Sequence, residues 1–285
     1  MKKQKCHCHW VCLLSLSRYN SWLIIEIELC LPFTDTPISR LLDRVYPGLT
    51  NIQAAPSEQQ RHYYSQRAVL APLNADVDAL NTAALERLAG SSKVYLSVDT
   101  ALDEVGNPTY GTYPTEYLNT IALSGMPTHQ ITLKVGCPII LLRTLDASGG
   151  LCNGTRLLVT ALKKRVIEAI ILSGTHAGKS AFIPRINLVT ASSSALAFNL
   201  RRRQFPIRLA FGMSINKAQG QSLQTVGIYL QTPVFAHGQL YVAISRSTNC
   251  RQIYISLPSS NLTTTNIVYR EVLMRVQVED NEMRE

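Results

Sequence analysis

Acidic side chains are nearly absent from one long stretch of this 285-residue sequence. Between Lys134 and Arg208 only Asp146 and Glu168 carry negative charge, against twelve Lys or Arg, a net of +10. The remainder of the chain sums to −1, so the overall +9 is one contiguous block rather than a diffuse bias. Such a block argues against a cationic partner and for a polyanionic one. Tryptophan is equally sparse, with Trp10 and Trp22 both in a leader of 34 residues after which the composition changes. Four of the seven cysteines (Cys6, Cys8, Cys12, Cys30) crowd into that leader, and Cys137, Cys152 and Cys250 are odd in number and scattered. A disulfide framework is therefore not expected, and a reducing compartment is. Cys6-His7-Cys8-His9 has metal-ligand residue types, but the spacing is too tight for a tetrahedral zinc site and no second pair follows, so no metal is expected. Long apolar runs are missing too. Trp22 to Phe33 is broken by Glu26 and Glu28, far short of the roughly 20 residues of a membrane span. The short Val11-Leu14 run behind Lys2, Lys3 and Lys5 is interrupted by Arg18 and makes no signal peptide. The expectation is a soluble chain with no membrane partner.

A nucleotide-cradling glycine loop is also lacking. Ser173-Gly174-Thr175-His176-Ala177-Gly178-Lys179-Ser180 comes near one, but Ser173 stands in the first glycine's place and Ala181 to Ile186 is strand-like and holds Pro184. A phosphate loop must open a helix so that its N–H groups converge, so a hairpin turn is expected here instead. Leu23 to Glu28 resembles a magnesium-holding strand, yet no such loop precedes it, and a buried strand or an unrelated leader is the better account.

With 46% hydrophobic and 16% charged residues, the chain can bury a core, which excludes disorder. From Asp35 strand and helix signals alternate, the pattern of an α/β domain. Arg67 to Ala71 is a strand, and Asn74 or Asp76 caps a helix with Val77, Leu80, Ala84, Leu85 and Leu88 at helical spacing. Beyond residue 130 the period becomes two. Ile131 to Val135, Ile139 to Leu142, Arg156 to Leu162, Val166 to Leu172 and Ala181 to Val189 read as strands of a small barrel. A second α/β stretch opens with a strand at Phe205 to Phe211, then a helix start at Ser214 to Gln221, a strand at Thr225 to Leu230, a helix at His237 to Arg246 and a strand at Gln252 to Ser256. A further helix is expected near Tyr269 to Val276 in a polar tail.

Two segments carry chemistry beyond a plain core. In Ala210 to Leu223 a strand runs into polar residues, Lys217 and Gly220, an arrangement that offers N–H groups and a lysine to an anion, or else is a solvated loop. In Gly238 to Arg246 an apolar helix ends in Ser245-Arg246. Arg246 either pairs with its own helix C-terminus or reaches a cleft as an arginine finger for a transferring phosphoryl group.

Together these segments resemble motifs of superfamily-one DNA helicases, specifically the petite-integration-frequency (PIF) family that includes Helitron transposon helicases. Arg67 to Asn74 resembles the fourth motif, Ser214 to Gly220 the fifth and Tyr241 to Arg246 the sixth. Leu133 to Arg143, Gly150 to Leu157 and Phe182 to Ile186 resemble the Src-homology-like barrel inserted in the second motor lobe. The resemblance covers roughly Pro37 to Leu257 and implies an α/β fold, a second RecA-like lobe interrupted by a small all-β barrel. Its divisions are a leader over 1–34, lobe over 35–120, barrel over 121–190, lobe over 191–258 and tail over 259–285. It further implies that Arg246 reaches ATP as the catalytic finger. Lys217, Gln219 and Gly220 couple nucleotide to single-stranded DNA, and Pro72, Asn74, Asn216, Lys217 and Gln239 line the DNA track. Lys134, Arg143, Asn153 and Arg156 become candidates for phosphates, in keeping with the basic block. Arg201-Arg202-Arg203 adds to them or is a solvated charge run. Ala218 departs from the serine usual in relatives. ATP and Mg2+ are cofactors of the full-length family, bound mainly by a first lobe whose motifs are absent here, so hydrolysis by this chain alone is not expected. The implied role is the C-terminal lobe of a nuclear 5′-to-3′ helicase in DNA repair, recombination, telomere maintenance or Helitron transposition. The alternative is a non-catalytic single-strand-binding remnant.

Overall fold

The computed structural model describes residues 22–24, 31, 35–103, 105–109, 111–190, 196–258, 263–267 and 269. The Cys6 to His9 cluster and the tail helix beyond Tyr269 lie outside them. The chain forms two compact units, one of residues 1–47, 66–83 and 212–285, the other of 48–65 and 84–211.

The first unit is built on four parallel strands in the order β13 (Gly212–Ser214), β2 (Arg67–Ala71), β14 (Thr225–Tyr229) and β15 (Ile253–Ser256). Nearly every side chain of these strands is buried, as expected for a sheet covered on both faces. One face carries Ala68, Leu70, Met213, Val226, Ile228, Ile253 and Ile255 against Ile215, Ala218, Leu240, Ala243 and Ile244. Toward the other comes α1 (Pro37–Val45), which starts on a proline suited to a first helical turn and buries Leu41, Leu42 and Val45. It sits so close that a Cβ on Gly227 would lie 2.7 Å from Val45 Cγ2 and 3.2 Å from both Leu41 Cδ1 and Val69 Cγ2. The helix α3 (Asn74–Arg87) pins the edge strand. Buried Asn81 donates from Nδ2 to the Gly212 carbonyl at 3.1 Å and accepts the Gly212 N–H on Oδ1 at 2.9 Å. Both polar groups of that edge residue are thereby satisfied by a side chain. Two short strands, β1 (Trp22–Ile24) and β16 (Thr263–Thr265), pair antiparallel.

The second unit is antiparallel. A five-stranded sheet runs in the order β12 (Ile207–Leu209), β6 (Pro138–Leu141), β7 (Arg156–Leu162), β8 (Val166–Ile171), β9 (Ser180–Pro184). The segment like a nucleotide loop is the turn of the β8–β9 hairpin: Gly178 N–H donates to Ile171 O at 2.9 Å, Gly174 and Gly178 hold φ near +90°, and Ser180 opens a strand. Three further strands, β10 (Ile186–Val189), β11 (Asn199–Gln204) and β4 (Val98–Leu102), form a second sheet, and β3 (Lys93–Leu96) pairs with β5 (Gln130–Leu133).

The units divide the chain differently from the boundaries expected at 120/121 and 190/191. β4 lies before the first boundary and β11 after the second, yet their backbones pair from Val98↔Arg203 to Leu102↔Asn199, which draws both into the antiparallel unit. Phe205 to Phe211 likewise does not open the parallel sheet. Its strand, β12, pairs antiparallel with β6, and β13 takes the expected place. The apolar pattern of that segment fits either sheet, and only the long-range pairing decides.

At the heart of the second unit Arg202 is fully buried. Its Nε lies 3.0 and 3.1 Å from the Asp99 carboxylate oxygens and Nη2 donates to Asp99 Oδ2 at 2.7 Å. Nη2 also donates to Leu118 O, and Nη1 to Ile121 O and Pro127 O, each at 3.0 Å. Every face of the guanidinium fork is thus occupied, and Ser97 Oγ donates to the same carboxylate at 2.6 Å. This buried pair locks β11 to β4 and to α4 (Thr115–Thr120), and it overturns the reading of Arg202 as part of a solvated run. Replacing Arg202 by Ala leaves Asp99 buried without its counter-ion and is expected to lower stability by about 3–5 kcal/mol in urea unfolding. Gly227→Ala overpacks the contact with α1 and is expected to cost about 1–3 kcal/mol in the same measurement.

Candidate nucleic-acid interface

In the first unit, the residues expected at the site follow from how parallel strands end. Loops after the carboxyl ends of β2, β13 and β14 gather along one edge of the sheet, the usual place for ligands in open α/β folds. After β2 come buried Pro72 and exposed Asn74, the first residue of α3. After β13 the expected helix is a single 3-10 turn, Ile215–Ala218. The chain has only ten residues to cross from β13 over β2 to β14, and Gly220, at φ +81°, turns it back. Nothing lies within 4 Å of a Cβ built on Gly220, so the glycine is needed for backbone conformation and not for space. The turn buries Ile215 and Ala218 and leaves Asn216, Gln219 and Gly220 exposed with Lys217 half-buried. At Ala218, in the core, a hydroxyl would require a partner.

The expected helix at 237–246 is shorter, α5 (Gln239–Ile244), because Gly238 precedes it at φ +69°. Gln239 is buried, and its Oε1 accepts the N–H groups of Phe235 at 3.0 Å and Ala236 at 3.4 Å. Its Nε2 has no partner among the described residues. Nearby in sequence, Tyr229 at the end of β14 has its phenol pushed up by burial and by Asp76, whose own carboxyl is raised by burial.

Arg246 pairs with its own helix and also reaches the loop after the 3-10 turn. Its Nε donates to Val242 O at 2.9 Å and Nη2 to Ser245 Oγ at 2.9 Å, capping its own helix. Its Nη1 donates at 3.2 Å to the carbonyl of Gln221, the residue after Gly220. The main chains meet as well, since Leu223 N–H donates to Arg246 O and Thr248 N–H to Leu223 O. The two motif-like segments, 214–220 and 241–246, are therefore fastened together through this arginine.

In the second unit the four phosphate candidates separate by burial. Arg143 and Asn153 are exposed. Lys134 is half-buried and donates from Nζ to Leu88 O at 2.6 Å and Glu86 O at 3.5 Å, closing the carbonyl end of α3. Arg156 is 4% exposed, and its Nη2 donates to Tyr64 O at 3.1 Å and Ala210 O at 3.3 Å. Lys134 and Arg156 thus do structural work, against the expectation that they face DNA. Both are implied by the family resemblance and agree with a charge block whose sign is visible in sequence while its facing is not. Cys137, buried beside Lys134 in sequence, has its thiol pushed up to about 12 by burial. Among the described residues no group of three His, Cys, Asp or Glu could hold a metal ion, and no helix is long and apolar enough to cross a membrane. Arg156→Ala is expected to lower the thermal midpoint, with a cost of about 1–3 kcal/mol for the orphaned carbonyls, whereas Arg143→Ala leaves the midpoint unchanged.

Residues 116–162 match the family model for the 2B domain of DNA helicase Pif1. Among curated proteins, the ATP-dependent DNA helicase PIF1 of Xenopus laevis is 32% identical over 174 residues, covering 61% of this chain and 25% of the relative. The human protein of that name is 30% identical over 187 residues, covering 63% and 25%. The chain thus spans about a quarter of the length of these relatives. Among solved structures, Pif1 helicase from Candida albicans has a TM-score of 0.57 at 20% identity over 87% of this chain and 58% of its own. Bacteroides Pif1 in complex with ADP-AlF3 and ssDNA has a TM-score of 0.53 at 18% identity over 99% and 64%. These likenesses place the fold among the mixed α/β, RecA-like sheets of Pif1 helicases.

Proposed function

From a chain that is PIF1-like over part of its length, we propose the second motor lobe of an ATP-dependent DNA helicase, moving 5′ to 3′ on single strands. In this reading the antiparallel unit is the inserted barrel. Arg246 is the arginine finger, Lys217, Gln219 and Gly220 couple nucleotide to strand, Pro72, Asn74, Asn216 and Gln239 line the DNA track, and in the antiparallel unit Arg143 and Asn153 take phosphates. The observation that carries it is the Arg246 to Gln221 hydrogen bond. One guanidinium placed to answer a phosphate also grips the backbone beside the exposed 216–220 turn, so a change at one is felt at the other.

ATP with Mg2+ would supply the phosphoryl transfer. Of this chain's residues Arg246 fits that group, because its three intrachain bonds leave two of the five guanidinium N–H donors for a phosphate. The lysine and backbone amides that hold β- and γ-phosphates come, in this proposal, from a first RecA-like lobe, without which phosphoryl transfer has no platform. The setting is nuclear DNA maintenance or Helitron transposition. The second reading, a single-strand-binding remnant without catalysis, draws on the helix-capping bonds of Arg246, which give that residue a purpose without ATP.

Single-stranded-DNA-stimulated ATP hydrolysis separates the two. The chain alone is expected to be silent. Joined to a first lobe from a Pif1 relative it is expected to hydrolyse ATP, and Arg246→Ala to reduce the rate by about a thousandfold or more. Silence of the joined protein, with single-strand binding retained, establishes the remnant.

A further inference from the structure

The sheet of β10, β11 and β4 has an outer face that bears none of the candidate site residues described above. On β11, Arg202 and its neighbours Leu200 and Gln204 point inward, so strand alternation sends Arg201 and Arg203 outward. Their cross-strand neighbours are Val189 and Thr100 for Arg201, and Asn187 and Val98 for Arg203. Neither arginine pairs with a carboxylate among the described residues. The acid of this register, Asp99, is opposite Arg202 and fully occupied inside. A third guanidinium joins from the β9–β10 junction. Arg185 donates from Nη1 to Leu96 O at 2.6 Å and lies 4.9 Å from the Phe205 ring centre, which fixes its direction. Its ionised form is disfavoured by burial, favoured by Tyr95, and disfavoured again by the charge of Arg203. Around them Val98 is 65% exposed, with Leu96 and Val189 also open to solvent.

We propose that this outer face, with Arg185, Arg201 and Arg203, binds the sugar–phosphate backbone of a nucleic-acid strand. Arg201 and Arg203 share one face with no acidic neighbour in register among the described residues, and Arg185 lies near enough to feel the charge of Arg203, so the face is complementary to an anion. Arg201 and Arg203, two residues apart on one strand, stand about 6–7 Å from each other, comparable with successive phosphates of one strand. Arg185 is anchored by its bond to Leu96 O, and the planar guanidiniums of Arg201 and Arg203 offer paired donors that a lysine does not. The site deepens the helicase reading and rests on it, adding a second grip apart from the residues at the parallel sheet's edge.

The test is the salt dependence of binding to fluorescein-labelled oligothymidylate by the full chain, read by anisotropy. Arg201→Ala with Arg203→Ala is expected to reduce the slope of log K against log salt by about 1.4, two single-strand phosphates' worth. Arg201→Gln with Arg203→Gln, which keeps a polar hydrogen-bonding side chain without charge, is expected to do the same. Arg201→Lys with Arg203→Lys is expected to restore the slope but weaken affinity. A folded neutral variant with the wild-type slope overturns the proposed face while leaving the helicase reading intact. Absence of salt-dependent binding by the wild-type chain overturns both.

Discussion

The guanidinium of Arg202 and the carboxylate of Asp99, both withdrawn from water, hold the antiparallel unit together. Neither charge is tolerable there alone, because a buried ion costs several kcal/mol unless its partner and hydrogen bonds are complete. The pair meets that condition through three carbonyls from Leu118, Ile121 and Pro127 in addition to the carboxylate. One side chain therefore fixes the register of β11 on β4, the end of α4 and the segment leading to β5. The same constraint orients the surface. With Arg202 held inward, the strand's alternation leaves Arg201 and Arg203 outward, so the inner pair determines where the outer charge is displayed.

The parallel unit depends on close approach instead of charge. Gly227 admits α1 to the sheet, and Asn81 closes the edge strand that bears the 215–218 turn. That turn is one 3-10 turn because a short crossover and a glycine at positive φ leave room for no more. Its exposed polar residues are consequently presented on a tight, anchored loop, joined at its far end to Arg246. A rigid connection of this kind suits a motor lobe, in which occupancy at a nucleotide and tension on a strand must be felt by the same few residues.

Much of this was legible in the residues. Arg67–Ala71 and Arg156–Leu162 are strands at the bounds that their patterns suggest, and the next helix starts at Asn74, one of the two polar residues expected near its beginning. The Ser173 to Ser180 segment is a hairpin, as its missing glycine and following strand signals require. What the pattern could not reveal was pairing across long separations. Three successive arginines read alike until Asp99, over a hundred residues earlier, singles out the middle one. Lys134 and Arg156 looked like phosphate ligands because charge is visible in a sequence, whereas the carbonyls that occupy them belong to Leu88, Tyr64 and Ala210. The short strands β3 and β4 gave no alternation strong enough to be noticed, and β12 carried an apolar run that suited either sheet.

In the proposed reading this chain would complete a nucleotide site without forming one. Calorimetric titration of the chain with Mg-ATP tests that directly. The account predicts no saturable binding at micromolar concentrations, since Arg246 alone cannot cradle a triphosphate. Tight, stoichiometric Mg-ATP binding by the isolated chain would contradict it and require a phosphate-holding site within these residues.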